Sequence, residues 1–229
     1  MIYQNIKKAI FLERPNRFIA YAKMGEEIVK CHVKNTGRCK ELLVPGAEVF
    51  LEDHGDRTDR KTRYSLVKVK KNGRMINMDS QAPNQIAFDW LKNGGLYSDI
   101  TFLKKEQKFG NSRFDIFYER ENGIKGFVEV KGVTLEEENV ARFPDAPTER
   151  GLKHIYELIE AHKSGYETNV LFVIQMENIE RFEPNYSTHK EFGEALKSAQ
   201  KLGVNIFAVD CRVTETDVWA KSLVPIVLK

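Results

Sequence analysis

The chain has 229 residues, 41% of them hydrophobic, which is enough to bury a core in one large domain or two small ones and excludes a disordered, collagen-like or repeat protein. No run approaches the ~18 apolar residues that a membrane span needs, and Lys7 and Lys8 interrupt the apolar segment of a signal peptide, so we expect a cytoplasmic protein outside the membrane. Residues 1–80 carry 17 Lys and Arg against 10 Asp and Glu while the rest of the chain is net −4, which indicates a first part that holds a polyanion, with a chance surface imbalance as the alternative.

The first 80 residues predict a small β-barrel. Short segments of β-forming residues alternate with turn signals such as Pro45-Gly46 and Asn72-Gly73. The predicted strands cover residues 9–13, 17–23, 27–33, 48–52 and 64–69. Residues 38–44 predict one helical turn, and five strands with one short helix are typical of an OB-fold.

After Gln81 the pattern changes to an α/β domain, so we predict one domain over 1–80 and a second over 81–229. The predicted helices cover residues 84–93, 148–163 and 190–202. The predicted strands cover residues 100–109, 112–119, 126–135, 169–175 and 205–209. The apolar run at 170–174 predicts a central strand that is buried on both faces.

The strands at 112–119 and 126–135 are predicted to form a hairpin, and this hairpin carries the most informative polar pattern. Asp115 lies between Phe114 and Ile116, which we expect to point to one apolar face, while Glu129 and Lys131 alternate with valines on the partner strand. If the polar sets share a face, Asp115, Glu129 and Lys131 converge on one spot.

Two neighbouring carboxylates repel each other unless a cation lies between them, and Mg²⁺ or Mn²⁺ suits such a pair together with phosphate oxygens. Lys131 would stand beside the metal, where it can orient or help deprotonate a water and offset phosphate charge. This arrangement predicts phosphodiester hydrolysis. A solvent-exposed ladder of ion pairs is the alternative, although charges in the middle of a covered sheet are costly unless they are used.

Four pieces of the sequence, in this order, resemble a known family. They are NTGRCKELLVPGAEVFLED at 35–53, GNSRFD at 110–115, VEVKGVTL at 128–135 and FPDAPTERGLKHIYEL at 143–158. An Asp on one strand followed by Glu-Val-Lys on the next looks like the PD-(D/E)xK nuclease superfamily, and over nearly its full length the chain is similar to the sugar fermentation stimulation protein (SfsA) family. Phe114 stands where the superfamily often has Pro.

The resemblance implies an OB-fold-like barrel followed by a PD-(D/E)xK nuclease-like α/β domain, and it implies nucleic-acid binding. Matched position by position, Asp115 and Glu129 correspond to the metal carboxylates and Lys131 to the catalytic lysine. Glu106, on the preceding strand, is a candidate third metal ligand, although the lysines around it also fit an exposed edge. Asn84 is a weaker candidate for the same shell.

The helix predicted at 148–163 carries Arg150, Lys153 and His154 on one face, where we expect them to contact the scissile phosphate while Thr148 caps the helix. A buried stripe is predicted on another face at Leu152, Ile155, Tyr156 and Ile159. A polar helix face that is simply solvated is the alternative.

Further candidate nucleic-acid-binding residues lie on the barrel. Arg57, Arg60, Lys61 and Arg63 crowd one loop, and Arg38 with Lys40 opens the predicted helical turn. Such cationic clusters bind phosphates, but aspartates in the same loop dilute its charge.

We therefore expect a nucleic-acid-binding protein with a metal-dependent nuclease site, with Mg²⁺ or Mn²⁺ as cofactor and nucleic acid, DNA in preference to RNA, as partner. The alternative is a DNA-binding regulator of sugar-utilisation genes with little or no catalytic activity, which the family's name suggests. A sugar-metabolising enzyme is disfavoured because the sequence has no phosphate loop or dinucleotide fingerprint.

Overall fold

The computed structural model describes residues 1–35 and 37–229, so Thr36 of the first family-like piece lies outside the described residues. Within this part of the chain, six strands form the first sheet: β1 (Ile6–Asn16), β2 (Ile19–Met24), β3 (Glu27–Val33), β4 (Glu48–Asp53), β5 (Tyr64–Lys71) and β6 (Arg74–Asn77). Strand β1 lies between β2 and β4, and a parallel pairing of β3 with β5 closes the first five strands into a barrel. The predicted OB-fold-like barrel is confirmed.

The barrel departs from the prediction in two places. Strand β6 follows the Asn72-Gly73 turn and extends the sheet beyond the five predicted strands. Residues 38–44 form a single hydrogen-bonded turn, in which the backbone N–H groups of Leu42 and Leu43 donate to the Cys39 carbonyl, and no helix continues from it. Pro45 and Gly46 end the turn because proline lacks an N–H to continue it.

The second half is an α/β domain, as predicted. Its elements are α1 (Ala82–Lys92), β7 (Ile100–Phe109), β8 (Ser112–Arg120), β9 (Lys125–Val133), β10 (Leu135–Glu137), β11 (Val140–Phe143), α2 (Glu149–Lys163), β12 (Glu167–Ile174), β13 (Arg181–Pro184), α3 (Lys190–Lys201), β14 (Asn205–Val213) and β15 (Val218–Leu223). Over residues 82–223, all of them described, the main sheet has the order β15-β14-β12-β9-β8-β7. Strands β9, β12 and β14 are parallel to one another, β8 and β15 are antiparallel to their neighbours β9 and β14, and the edge strand β7 is antiparallel to β8.

Helices cover both faces of this sheet. Phe172 and Ile174 of β12 pack on the side of α2 and α3, whereas Leu171 and Val173 pack on the side of α1. The central strand is therefore apolar at successive positions, as the run at 170–174 predicted. Thr148 caps α2 by accepting a hydrogen bond from the Gly151 N–H, also as predicted.

Polar contacts join the barrel to the α/β domain. The Asn77 side chain donates to the Gln175 side chain at 2.6 Å, and Arg74 of the barrel pairs with Glu136 at 3.2 Å. The barrel ends at Asn77 and α1 begins at Ala82, while the predicted division near residue 80 stays a prediction. None of the described helices is long and apolar enough to cross a membrane.

Lys68 is a fully buried lysine at this junction. Its Nζ donates to the carbonyls of Thr214 and Glu215 at 2.9 Å each and lies 3.3 Å from that of Asp217. One barrel side chain therefore binds the loop between β14 and β15.

The Lys68→Met substitution is expected to lower the free energy of unfolding by about 1–3 kcal/mol, because Met fills similar space but removes the charged donor from the part-buried carbonyls of Thr214 and Glu215. Lys70→Met, an exposed change on the same strand, is the matched control and should alter stability by less than about 0.5 kcal/mol. Urea denaturation of both variants measures the difference, and equal stabilities would contradict a role for the buried ammonium.

Candidate active site

Asp115 and Glu129 lie where strands β8 and β9 separate. The backbone ladder between the strands ends at the pair Ile116 and Val128. Beyond this pair, Asp115 Oδ2 accepts a hydrogen bond from the Val130 N–H at 2.8 Å. The carboxylate thus takes the place of a backbone acceptor, and a gap opens between two otherwise paired strands.

The predicted alternation of β8 is wrong at Asp115. Phe114 packs against Phe127, with ring centroids 5.0 Å apart, in the core beneath α2 and α3. Ile116 packs with Val128 in the core beneath α1. Phe114 and Ile116 are thus buried on opposite sides of the sheet, although residues two apart on a regular strand share a side. The regular alternation is therefore broken between them, and the Asp115 side chain points toward β9.

Glu129 is a buried carboxylate, only 2% exposed, with two differently occupied oxygens. Its Oε1 accepts a hydrogen bond from Lys131 Nζ at 2.6 Å and contacts His154 Nδ1 of α2. Its Oε2 is buried and has no hydrogen-bond partner among the described residues. An unpartnered buried carboxylate oxygen is costly, which favours a ligand at this point.

The two carboxylates influence each other electrostatically. Burial raises the pKa of Asp115, and the nearby charge of Glu129 raises it further. Burial also opposes ionisation of Glu129, but its contacts with His154 and Lys131 outweigh that effect and hold the pKa of Glu129 below its usual value. Negative charge therefore concentrates in the gap between the strands, where a cation would be stabilised.

Asn84, at the start of α1, reaches Asp115 from the other side of the sheet. Its Nδ2 donates to Asp115 Oδ1 at 2.8 Å. Asp115 is thus held by an α1 side chain and Glu129 by an α2 side chain. These donors fix the orientation of both carboxylates, which suits the oxygen coordination that Mg²⁺ prefers: one or two carboxylates with water and phosphate completing the shell.

The structure does not bring Glu106 into this site. Glu106 lies on the edge strand β7 with φ +54°, is exposed and pairs with Arg113 at 3.4 Å. Among residues 1–35 and 37–229, no group of three or more His, Cys, Asp and Glu side chains is arranged to hold a metal ion. The predicted three-carboxylate set is therefore wrong, because the third carboxylate is neutralised at the sheet's edge.

The prediction that Arg150, Lys153 and His154 share one face of α2 is wrong. His154 is 9% exposed and points from α2 toward Glu129, while Arg150 and Lys153 are exposed and Lys153 lies 3.5 Å from Glu157. Tyr156, predicted in the buried stripe, is 52% exposed. The buried face runs through Gly151, His154, Ile155, Leu158 and Ile159, one helical position away from the predicted stripe.

The cationic loop of the barrel is largely neutralised by its own carboxylates. Arg57 pairs with Asp59 at 2.7 Å, and Arg63 binds both oxygens of Asp53. Arg60 donates to the Ser65 hydroxyl at 2.8 Å, and Lys61 is exposed. The loop therefore offers less free charge to a phosphate backbone than its composition indicates.

Arg38, the other predicted contact on the barrel, is exposed at a separate groove beside Arg17 and Lys40. Lys40 stands two residues after Arg38, and the sequence predicted the two as one cationic cluster. Arg17 was not predicted as a binding residue, because it is far from this cluster in sequence and only the folded chain brings it there.

Two family models match the chain. The first, described as the sugar fermentation stimulation protein RE domain, matches residues 81–217, and the second, described as the SfsA N-terminal OB domain, matches residues 12–78. A sugar fermentation stimulation protein homolog of Clostridium beijerinckii is 53% identical over 228 residues, which covers 100% of both chains. The homolog of Ruminiclostridium cellulolyticum is 54% identical over 215 residues, or 94% of both chains.

A solved structure is also similar. The Pyrococcus furiosus SfsA in complex with Ca²⁺ superposes with a TM-score of 0.87 at 27% identity, covering 99% of this chain and 98% of that one. Both halves of the chain therefore have the arrangement found in this relative.

Proposed function

The chain belongs to the sugar fermentation stimulation protein family, and we propose that it binds nucleic acid and hydrolyses phosphodiester bonds at Asp115, Glu129 and Lys131 with Mg²⁺ or Mn²⁺. The observation that carries this proposal is Glu129 Oε2, a buried anionic oxygen without a hydrogen-bond partner in the described part of the chain. It lies beside a second carboxylate whose pKa is raised. A divalent cation satisfies both groups at once.

The side chains have two roles: the carboxylates bind the metal ion, and the lysine assists the water that attacks the phosphate. Asp115 and Glu129 supply carboxylate oxygens for the ion, with Asn84 and His154 fixing their orientation. A bound divalent ion would polarise a phosphate oxygen and lower the pKa of a coordinated water. Lys131 Nζ, 2.6 Å from Glu129 Oε1, is placed to orient that water and to offset phosphate charge.

The choice of metal follows from the donors. Carboxylate oxygens suit hard cations, and the Pyrococcus furiosus protein was solved with Ca²⁺, which takes oxygen ligands as Mg²⁺ does. Ca²⁺ is therefore a useful probe of binding, while Mg²⁺ and Mn²⁺ are the proposed ions for hydrolysis.

A DNA-binding regulator with little turnover is the second candidate. One observation favours it: Lys131 is already paired with Glu129, so its ammonium is committed to a neighbour rather than free for a substrate. In that case the acidic pair would bind a cation or remain neutralised without cutting. DNA is the proposed partner of either activity.

Cleavage of single- and double-stranded DNA and RNA by the purified protein should require Mg²⁺ or Mn²⁺ and stop in EDTA. Binding of Mn²⁺ or Ca²⁺ at ~100 times its Kd should stabilise the fold by about 2.7 kcal/mol, read as a rise in Tm. Metal-induced stabilisation without strand breaks would favour the regulator. If the metal ions produce neither a rise in Tm nor strand cleavage, the proposed metal site is refuted.

A further inference from the structure

A groove of about 470 Å³ lies on the barrel between β1 and the turn at residues 37–45. We call it the β1 groove. Phe11, Leu43 and Pro45 form its apolar part, and Arg17, Arg38 and Lys40 line its rim. The volume is in the range that proteins use to bind small-molecule-sized groups.

The rim cations differ from those of the barrel loop because they are not neutralised. In the described residues, Arg17, Arg38 and Lys40 form no ion pair within 4.0 Å, and all three are exposed. Glu13 is the carboxylate that also lines the groove. The rim therefore keeps a surplus of positive charge.

Arg14 fixes the backbone on both sides of the groove. Its guanidinium donates to the carbonyls of Gly37 and Arg38 at 2.8 Å each, and to those of Asn35 and Arg17 at 2.7 Å each. The half-buried guanidinium of Arg14 thereby holds the backbone that carries two of the rim cations, Arg17 and Arg38. A preorganised cationic rim binds an anion with less loss of conformational entropy.

A second cavity lies between this groove and strand β9. A cleft of about 430 Å³ between the barrel and the α/β domain is lined by Gly132, which follows Lys131, and by Thr148 at the N-terminus of α2. Gly37 lines both the cleft and the β1 groove. The cleft also contains the charged side chains of Asp145 and Arg142. The cleft and the β1 groove together therefore extend from strand β9, at the residue that follows Lys131, to the cationic rim.

We propose that this path holds a single-stranded nucleic acid, which runs from Lys131 through the cleft and places its phosphates on Arg17, Arg38 and Lys40. An unpaired base then lies against the apolar part of the β1 groove. A duplex could place its phosphates on the cations, but its base faces are stacked inside the helix and cannot contact the apolar surface. The faces of unpaired bases are free to pack on it. This inference rests on the nucleic-acid binding proposed above and is independent of hydrolysis.

Binding of a fluorescein-labelled oligothymidylate to the intact protein, measured by anisotropy in EDTA, tests the path without turnover. Removing three phosphate contacts in the variant Arg17→Gln/Arg38→Gln/Lys40→Gln should reduce the slope of log K against log salt by about 2, at ~0.7 per contact for a single strand. The same relation predicts about a hundredfold weaker binding at ~0.1 M salt. If the variant has the affinity and the salt dependence of the unmodified protein, the proposed binding path is refuted.

The matched control is Lys92→Gln/Lys190→Gln/Lys201→Gln, which removes three exposed lysines from α1 and α3. It loses the same charge and should keep its affinity within about threefold, since diffuse charge contributes little at this salt. An equal loss in both variants would mean that net charge alone drives binding, which contradicts a defined path. Circular dichroism confirms that both variants fold.

Two probes test the base contact without altering the protein. An abasic strand of the same length should bind at least about tenfold more weakly than oligothymidylate, given ~1–3 kcal/mol for stacking a base. A duplex of the same length should also bind more weakly. Equal or tighter binding of either probe would overturn the single-strand assignment. Intact binding without metal-dependent cleavage would instead leave the path standing and refute only the hydrolysis.

Discussion

The Glu129→Gln substitution is expected to reduce metal-dependent strand cleavage by about 10³-fold or more, equivalent to about 4 kcal/mol of transition-state stabilisation. Gln keeps the size of the side chain but removes its charge. It also replaces one carboxylate oxygen with an amide donor that faces the Lys131 ammonium and His154, which disturbs both contacts. Initial rates with Mn²⁺ and a labelled strand measure the loss.

The same variant should also lose the rise in Tm that Ca²⁺ or Mn²⁺ produces, since the site no longer carries enough negative charge to hold the ion. Lys131→Gln separates the two roles: cleavage should fall while metal-induced stabilisation remains. Glu121→Gln, an exposed change on the turn between β8 and β9, is the matched control for charge and should leave both readouts unchanged. Cleavage by Glu129→Gln at the unmodified rate would refute the assignment.

The Phe127→Ala substitution should destabilise the α/β domain by about 3–5 kcal/mol. Phe127 is 2% exposed and packs against four aromatic rings, with centroid distances between 4.8 and 5.7 Å: Phe109, Phe114, Phe117 and Tyr166. Truncation removes the centre of this cluster and leaves a cavity. Because Phe127 precedes Glu129 by two residues on the same side of β9, the cluster also supports the carboxylate.

Urea denaturation followed by tryptophan fluorescence measures this loss. Phe102→Ala, which removes a ring that is 50% exposed on the neighbouring sheet edge, is the control and should cost less than about 1 kcal/mol. Similar costs for the two changes would show that the aromatic cluster contributes no more than a surface ring.

Local patterns carry much of this protein's architecture. The alternation of apolar residues and the Gly- and Pro-containing turns predict the five barrel strands, because a strand places every second side chain inward whatever surrounds it. The caps and helical spacing predict α1, α2 and α3 to within two residues at each end. The apolar run at 170–174 predicts the buried central strand of the sheet.

The candidate site could be predicted in part. Asp115, Glu129 and Lys131 stand out because charged residues occupy strands whose neighbours are apolar, and the resemblance to nucleases assigns them roles. Their roles stay predictions. The contact of His154 with Glu129 could have been found from the spacing of Gly151, His154, Ile155 and Leu158, which is the true buried face of α2.

The amino-acid order alone was sufficient for the fold class, the family resemblance and the nomination of the acidic pair, since each depends on residues close together in the chain. Only the tertiary structure decided which cationic side chains remain free of ion pairs and can contact a phosphate. Arg57 and Arg63 are neutralised by Asp59 and Asp53, whereas Arg17, Arg38 and Lys40 meet across the β1 groove. The physical reason is that electrostatic interactions depend on distance and burial, and both are set by contacts between segments that the sequence holds far apart.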